Sequence, residues 1–218
     1  MYKRQDDAEG ERTWGESAAE LDATSIAHEI TNLTGDIMQR PAAVSAIKID
    51  GKRAHERVRA GEDVYIPARP VTVSRFEVLD TQRDGDYVDL DVSVACSSGT
   101  YIRSLARDLG EALGVGGHLT ALRRTEVGPF TLDDALPLAS LEDSPVLSLS
   151  LDEALARSYP VLDVTEDEAH ALAMGKWLEP RGLKGIHAAV DPQGRSIALV
   201  KEKGKRLATV FVARPSTL

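Results

Sequence analysis

The sequence predicts an α+β fold with a mixed or antiparallel sheet, followed by a smaller and mostly β domain. Two stretches, 71–81 and 88–94, place apolar residues at alternating positions, and Gly85-Asp86 between them is a turn signal. Because the turn is short, we expect the two strands to be antiparallel neighbours. The second strand runs into a helix with a stripe of Ile102, Leu105, Leu109 and Leu113. A strand pattern restarts after 158–160, where we place the domain boundary.

The composition excludes several classes of protein. The 218 residues are 42% hydrophobic, enough to bury a core, but no apolar run approaches the ~20 residues that span a bilayer. The single cysteine, Cys96, excludes a disulfide framework, and the five histidines show no paired ligand spacing. We therefore expect a cytoplasmic protein without a metal site.

The charges are segregated along the chain. The net charge of −9 argues against a nucleic-acid partner, but residues 40–59 hold six basic residues and two acids. Residues 195–206 hold five basic residues and one acid, whereas ten acids gather in 131–170. This pattern predicts separate basic and acidic faces. Solvated charge runs remain the alternative for either basic cluster.

The first part of the chain leads to a basic excursion. Residues 1–14 show no period and are predicted to be irregular, and a helix follows with Ser17 and Glu20 as a capping box and Ile26 and Ile30 in its stripe. Residues 38–61 then predict a strand, a tight turn at Asp50-Gly51 and two helical turns. This segment is too short for its own core, so we interpret it as a mobile flap or as an exposed connection without a partner.

The junction between the second long strand and its helix is the strongest candidate site. The small residues 97–100 can cap the helix and leave backbone N–H groups for an anion. Arg103 has no acidic neighbour at helical spacing, so it is either a solvated surface arginine or the partner of a distant carboxylate or phosphate. Tyr101 is either a half-buried core aromatic or part of that site.

The remaining elements complete the predicted domains. After the helix we expect a strand over 119–127 and short acidic helices over 131–158. Beyond residue 159 the pattern predicts a strand, a helix capped by Thr165 and Glu168, and three strands separated by turns at 191–194 and 203–204. The predicted organisation is thus a lead-in at 1–14, a first domain at 15–158 and a C-terminal domain at 159–218.

Four segments of the chain carry characteristic sequence motifs: Gln39-Arg-Pro-Ala-Ala-Val-Ser-Ala-Ile-Lys-Ile-Asp-Gly51, Ala68-Arg-Pro70, Cys96-Ser-Ser-Gly-Thr-Tyr-Ile-Arg103 with Asp108-Leu-Gly110, and Gly117-His-Leu-Thr-Ala-Leu-Arg-Arg124. Together, in this order, they resemble the TruB family of tRNA pseudouridine synthases. The resemblance implies part of a pseudouridine synthase catalytic domain and a small PUA-like RNA-binding domain. It also implies cofactor-free isomerisation of a T-loop uridine in tRNA, with the base flipped out of its loop, by a monomer that does not bind membranes.

The resemblance assigns roles to individual residues. Arg103 pairs with the nucleophilic aspartate of the family, Tyr101 lies beside it, and Leu122 packs against the catalytic pocket. The basic excursion at 38–61 corresponds to the thumb that clamps the T-arm. The residues expected to contact RNA are Lys48, Lys52, Arg53, His55, Arg59, Arg69, His118, Arg123 and Arg124. His55 stands where the family has an aromatic residue.

The nucleophile is the main departure from the family. The Gly-x-Leu-Asp motif that carries it does not occur in this sequence. Leu21-Asp22 is placed as a helix cap, and Leu132-Asp133 follows the turn at 128–130, where the family has no catalytic group. We therefore expect a C-terminal part of such an enzyme that lacks the N-terminal aspartate segment and is inactive alone. The alternatives are a non-catalytic tRNA-binding module or chaperone, and an acidic scaffold that binds no RNA.

Overall fold

The computed structural model describes residues 2–3, 12–42, 47–49, 51–62 and 64–216. The chain divides into two compact units, Met1–Arg123 and Arg124–Leu218. The division between the two units falls earlier in the chain than the domain boundary that the sequence predicts at 158–160. That domain boundary stays a prediction.

The first unit is built on a three-stranded antiparallel sheet. Its elements are β1 (Tyr2–Lys3), β2 (Arg12–Trp14), α1 (Ala23–Asn32), β3 (Gly35–Gln39), β4 (Lys48–Ile49), β5 (Lys52–Arg53), α2 (Ala54–Arg59), β6 (Arg69–Asp84), β7 (Tyr87–Cys96) and α3 (Ile102–Ala112). The sheet order is β3-β6-β7, and Phe76 pairs with Val94 across β6 and β7. The predicted antiparallel pair is therefore confirmed. β1 and β2 also pair, so part of the lead-in predicted to be irregular is a short antiparallel ladder.

One core joins both helices to this sheet. Its buried members are Ile26, Ile30, Val73, Phe76, Leu105 and Leu109, and the alternating apolar residues of β7 pack against it. The predicted stripes of α1 and α3 are thus confirmed. This packing fixes the start of α3 against the ends of β3 and β6, where the candidate site lies.

The predicted helix caps in this unit are correct only in part. Asp22, which was predicted as a helix cap, caps α1 through a 2.8 Å hydrogen bond from the Ser25 amide to its Oδ1, whereas the predicted Ser17–Glu20 capping box is wrong. Ser17 instead donates to Asp86, because the helix starts five residues too late for it to cap. At α3 the N-cap is Tyr101, which makes no side-chain capping bond, so capping by residues 97–100 is wrong.

The second unit contains a four-stranded mixed sheet. Its elements are β8 (Glu126–Val127), β9 (Phe130–Thr131), a 3₁₀ turn (Leu132–Asp134), α4 (Leu138–Asp143), α5 (Leu151–Ser158), β10 (Val161–Asp163), α6 (Glu166–Ala173), β11 (Ile186–Val190), β12 (Ser196–Lys203) and β13 (Arg206–Val212). The order is β10-β11-β12-β13, with β10 parallel to β11 and the other pairs antiparallel. Thr165 and Glu168 cap α6 as predicted.

The strand predicted over 119–127 is wrong for most of its length. Residues 121–125 have no regular structure and are exposed, and the strand is limited to Glu126–Val127, paired with Phe130–Thr131. Within the part of the chain that is described, no helix has the length and apolar character needed to cross a bilayer.

Candidate functional site

A buried glutamine fixes the start of α3. Gln39, the last residue of β3, is 0% exposed. Its Nε2 donates to the Tyr101 carbonyl at 3.1 Å, and its Oε1 accepts from the Tyr101 amide at 2.8 Å. One side chain therefore bonds to both backbone groups of the N-cap residue and supplies the acceptor for its amide, while the Tyr101 carbonyl also accepts the first helical hydrogen bonds from Ser104 and Leu105.

Arg69 contacts the ring of Tyr101, whereas Gln39 contacts its backbone. Arg69 begins β6, and its Nη2 donates to the Gly99 carbonyl at 2.6 Å. Its guanidinium lies 5.2 Å from the centre of the Tyr101 ring, within cation–π range. Gly99 has φ +87°, a conformation that favours glycine, and the turn it makes brings its carbonyl to Arg69. Tyr101 is thus fixed through both its backbone and its ring.

Arg103 lies in the first turn of α3, two residues after Tyr101, and its side chain is exposed. The helix N-terminus adds its partial positive charge to that of the guanidinium, so this turn favours an anionic partner. Leu122 lies in the irregular segment after α3 and is 56% exposed. The pairing of Arg103 with an aspartate and the packing role of Leu122 stay predictions.

A second network joins α3 to the base of the thumb. Arg107 donates to Asp108 Oδ1 from Nε at 2.9 Å and from Nη2 at 2.7 Å, and Nη2 also donates to the Arg40 carbonyl at 2.6 Å. Burial raises the pKa of the Asp108 carboxyl above its ordinary value, against the opposing effect of Arg107. Neither Arg40 nor Asp108 was predicted from the sequence as a site residue. The ion pair between the adjacent residues Arg107 and Asp108 has no periodic signature in the sequence.

Arg40 also contacts Tyr65, which follows the end of the thumb in the sequence. Its guanidinium lies 4.8 Å from the Tyr65 ring centre, and Nη2 donates to the Tyr65 hydroxyl at 3.2 Å. Sequence analysis missed both residues. The sequence offered only one indication of this contact, an aromatic residue next to the basic excursion. That indication is weak by itself.

The thumb residues are partly described. Lys52, Arg53 and Arg59 are exposed on β5 and α2, and β4 pairs with β5 across Gly51 (φ +84°) as the turn signal predicted. The side chains of Lys48 and His55 lie outside the described residues, as do residues 43–46 and 50. These exposed cations form a basic surface suited to phosphates.

The other predicted RNA contacts lie outside the thumb. His118 is half-buried after Gly117. Arg123 ends the first unit and Arg124 begins the second, and both are exposed. Within the described ranges, no group of three or more His, Cys, Asp or Glu residues is placed to hold a metal ion.

The second unit carries its own exposed aromatic–cation pair. Arg206, the first residue of β13, lies 4.8 Å from the ring centre of the half-exposed Trp177. It belongs to the basic cluster at 195–206. Such pairs occur on surfaces that bind single-stranded nucleic acid, but they are also common on other protein surfaces.

Comparison with protein families gives three matches that follow one another along the chain. Residues 2–102 match "TruB family pseudouridylate synthase (N terminal domain)". Residues 103–159 match "tRNA pseudouridylate synthase B C-terminal domain". Residues 159–214 match "tRNA Pseudouridine synthase II, C terminal".

Curated relatives are similar over almost the whole chain. A tRNA pseudouridine synthase B of Corynebacterium aurimucosum is 83% identical over 98% of this chain and 72% of its own length. Relatives of the same name are 75% identical in Corynebacterium efficiens and 54% identical in Rhodococcus jostii.

Solved structures share the fold. A Cbf5-Nop10-Gar1 complex gives a TM-score of 0.65 at 24% identity, with 93% of this chain and 65% of that chain covered. An H/ACA RNP bound to a substrate RNA gives 0.64 at 23% identity, with 92% and 64% covered. The chain thus spans less than two thirds of these structures' chains.

Proposed function

Because the chain belongs to the TruB family of tRNA pseudouridine synthases, we propose that it is the RNA-binding and arginine-bearing part of an enzyme that isomerises the T-loop uridine of tRNA. The observation that carries the proposal is the turn that presents Tyr101 and Arg103, which is held by Gln39 and Arg69 and lies where two adjoining segments matched to the family meet.

In this proposal the reaction needs a carboxylate nucleophile and an arginine that keeps it ionised. Arg103 supplies the guanidinium, whose fixed charge favours the ionised form of a nearby carboxyl group. The helix N-terminus adds to this effect. Tyr101 lies beside Arg103 with its position fixed, so that the reacting base meets a defined surface.

The thumb holds the substrate. Lys52, Arg53 and Arg59 contact phosphates of the T-arm, with Lys48 and His55 on the same segment. Arg69, His118, Arg123 and Arg124 extend the contact, and Leu122 packs beside the pocket. Recognition through phosphates accounts for RNA binding by a chain with a net charge of −9, since local stretches such as 40–59 are basic although the whole chain is acidic.

In this proposal the chain by itself does not turn over RNA, because its sequence contains no Gly-x-Leu-Asp motif. The exposed cations of the thumb favour RNA binding. Binding without turnover is also what the second candidate function, a non-catalytic tRNA-binding module, would show. We place the chain in the cytoplasm as a monomer, with a PUA-like C-terminal domain that contributes to RNA binding.

The test uses the purified chain and a T-arm stem-loop RNA. We expect binding that weakens steeply with salt and no pseudouridine. The tRNA pseudouridine synthase B of Corynebacterium aurimucosum serves as the positive control for turnover. Failure to bind the stem-loop at low salt contradicts the proposal.

A further inference from the structure

Arg40 and Tyr65 form an exposed stack at the base of the thumb. The Arg40 guanidinium lies 4.8 Å from the Tyr65 ring centre and Nη2 donates to the hydroxyl at 3.2 Å. Tyr65 is nevertheless 68% exposed. The ring therefore offers much of its surface to solvent, with a guanidinium beside it.

The residues next to this stack are anchored. The Arg40 carbonyl accepts a 2.6 Å hydrogen bond from Arg107, and Pro41 after it is buried. Ile66, directly after Tyr65, is buried in the first unit. The two side chains thus project from backbone that the core holds in place, which limits the entropy lost when a ligand binds.

Among the residues that are described, no carboxylate oxygen forms a salt bridge with Arg40, although its charge acts on the Asp108 carboxyl and opposes the rise in that pKa. Arg40 begins the basic stretch 40–59, which carries a local charge of +4. An exposed cation–π pair contributes little to folding stability. An open aromatic face next to an available guanidinium is, however, the combination that binds an unpaired nucleotide.

We propose that Arg40 and Tyr65 bind an unpaired nucleotide of the RNA substrate other than the isomerised uridine. The base stacks on Tyr65, and its phosphate contacts Arg40. The inference rests on the proposed function, because it needs an RNA substrate. It adds a contact between Arg40, near the start of the thumb, and Tyr65, shortly after its end, and it needs no particular base because every base has a stacking face.

The test measures binding of a fluorescein-labelled T-arm stem-loop RNA to the full chain at several salt concentrations. We expect Tyr65→Ala to weaken binding roughly tenfold or more at each salt concentration, with an unchanged salt slope, because stacking is not an ionic contact. Tyr65→Phe keeps the ring and should bind within about twofold of the parent chain. Arg40→Ala should lower the salt slope by about one.

Tyr87 provides the matched control. It is a tyrosine on β7 that is 47% exposed, and Tyr87→Ala should leave binding unchanged. Tyr65→Leu replaces Tyr65→Ala if the smaller side chain impairs folding, which circular dichroism reports. If the parent chain binds and the variant that lacks the ring, Tyr65→Ala or Tyr65→Leu, binds equally well, the inference is wrong while the proposed function stands. If the parent chain does not bind, the proposed function and this inference are both contradicted.

Discussion

The side chain of Gln39 and the backbone of Tyr101 are joined by two hydrogen bonds, at 3.1 and 2.8 Å, across 62 positions of sequence. The pair connects the last residue of β3 with the N-cap of α3. Because Gln39 is fully buried, neither bond competes with water. The geometry of the turn that carries Arg103 therefore depends on a residue far from it in sequence.

We predict that Gln39→Ala lowers the free energy of unfolding by about 1 to 3 kcal/mol, since it removes the Gln39 acceptor of the Tyr101 amide, whereas the Tyr101 carbonyl still accepts from the Ser104 and Leu105 amides. Urea denaturation followed by circular dichroism measures the change. Gln82→Ala is the control, because Gln82 is exposed on β6 and its side-chain amide donates to the nearby Asp80 at 3.1 Å. The control should change stability by less than about 0.5 kcal/mol. Equal effects in the two variants contradict the role assigned to Gln39.

Gly110 is predicted to reject any side chain. A Cβ there would lie 2.1 Å from the Gly117 nitrogen and 2.2 Å from the Gly116 carbonyl carbon. Gly110→Ala should therefore destabilise the chain by about 1 to 3 kcal/mol, although alanine is the better helix former. Thermal or urea denaturation tests this, with Ala112→Ser at an exposed position of the same helix as the control. A Gly110→Ala variant that is more stable than the parent chain would show that the backbone at Gly116 and Gly117 moves away at little cost.

Asp134 gives a pH-dependent prediction. Hydrogen bonds from Arg157 and from the Thr131 amide lower the pKa of the Asp134 carboxyl from 3.8 to about 2. Because the pKa is lower in the folded state, the stabilisation is complete above about pH 4 and is lost as the pH falls towards 2. The stability difference between the parent chain and Asp134→Asn should therefore shrink over that range. Asp133→Asn, in the same 3₁₀ turn, is the control. A difference that is constant with pH contradicts the ion pair.

The thumb cations should set the salt dependence of RNA binding. Replacing Lys52, Arg53 and Arg59 together by alanine should weaken binding of the T-arm stem-loop and lower the salt slope by about one per lost phosphate contact. Fluorescence anisotropy across a salt series measures both effects. Arg75→Ala is the control, because Arg75 lies on β6 beside Glu77. If the salt slope of RNA binding is unchanged in the triple variant, these three thumb residues do not contact the phosphates of the RNA.

Much of the fold follows from local patterns. The two long strands, the stripe of α3 and the capping box of Thr165 and Glu168 were all predicted because each depends on residues close together in sequence. The strand expected over 119–127 was wrong because strand-like composition does not by itself supply a hydrogen-bonding neighbouring strand. Within this range only Glu126–Val127 forms a strand, and Leu119 forms an isolated bridge. The capping of α3 was wrong for a related reason, since Gln39 satisfies the N-cap residue from a different element.

The site was less predictable than the fold. The sequence indicated Tyr101 and Arg103 through their place at a strand–helix junction. The contacts of Gln39 and Arg69 with that junction, and the stack of Arg40 on Tyr65, come from tertiary packing and have no periodic signature. The roles of these residues follow from the family resemblance, and the contacts that hold them are visible only in the folded structure.

The central claim is that this chain binds the T-arm but does not convert its uridine. The most direct measurement is tritium release from a T-arm RNA labelled at carbon 5 of uridine, with the chain in excess over RNA and binding verified in the same buffer. Formation of the new carbon–carbon bond displaces that hydrogen, so release reports turnover. The account predicts bound RNA with release at the level of the protein-free control. Release that depends on the chain would contradict it.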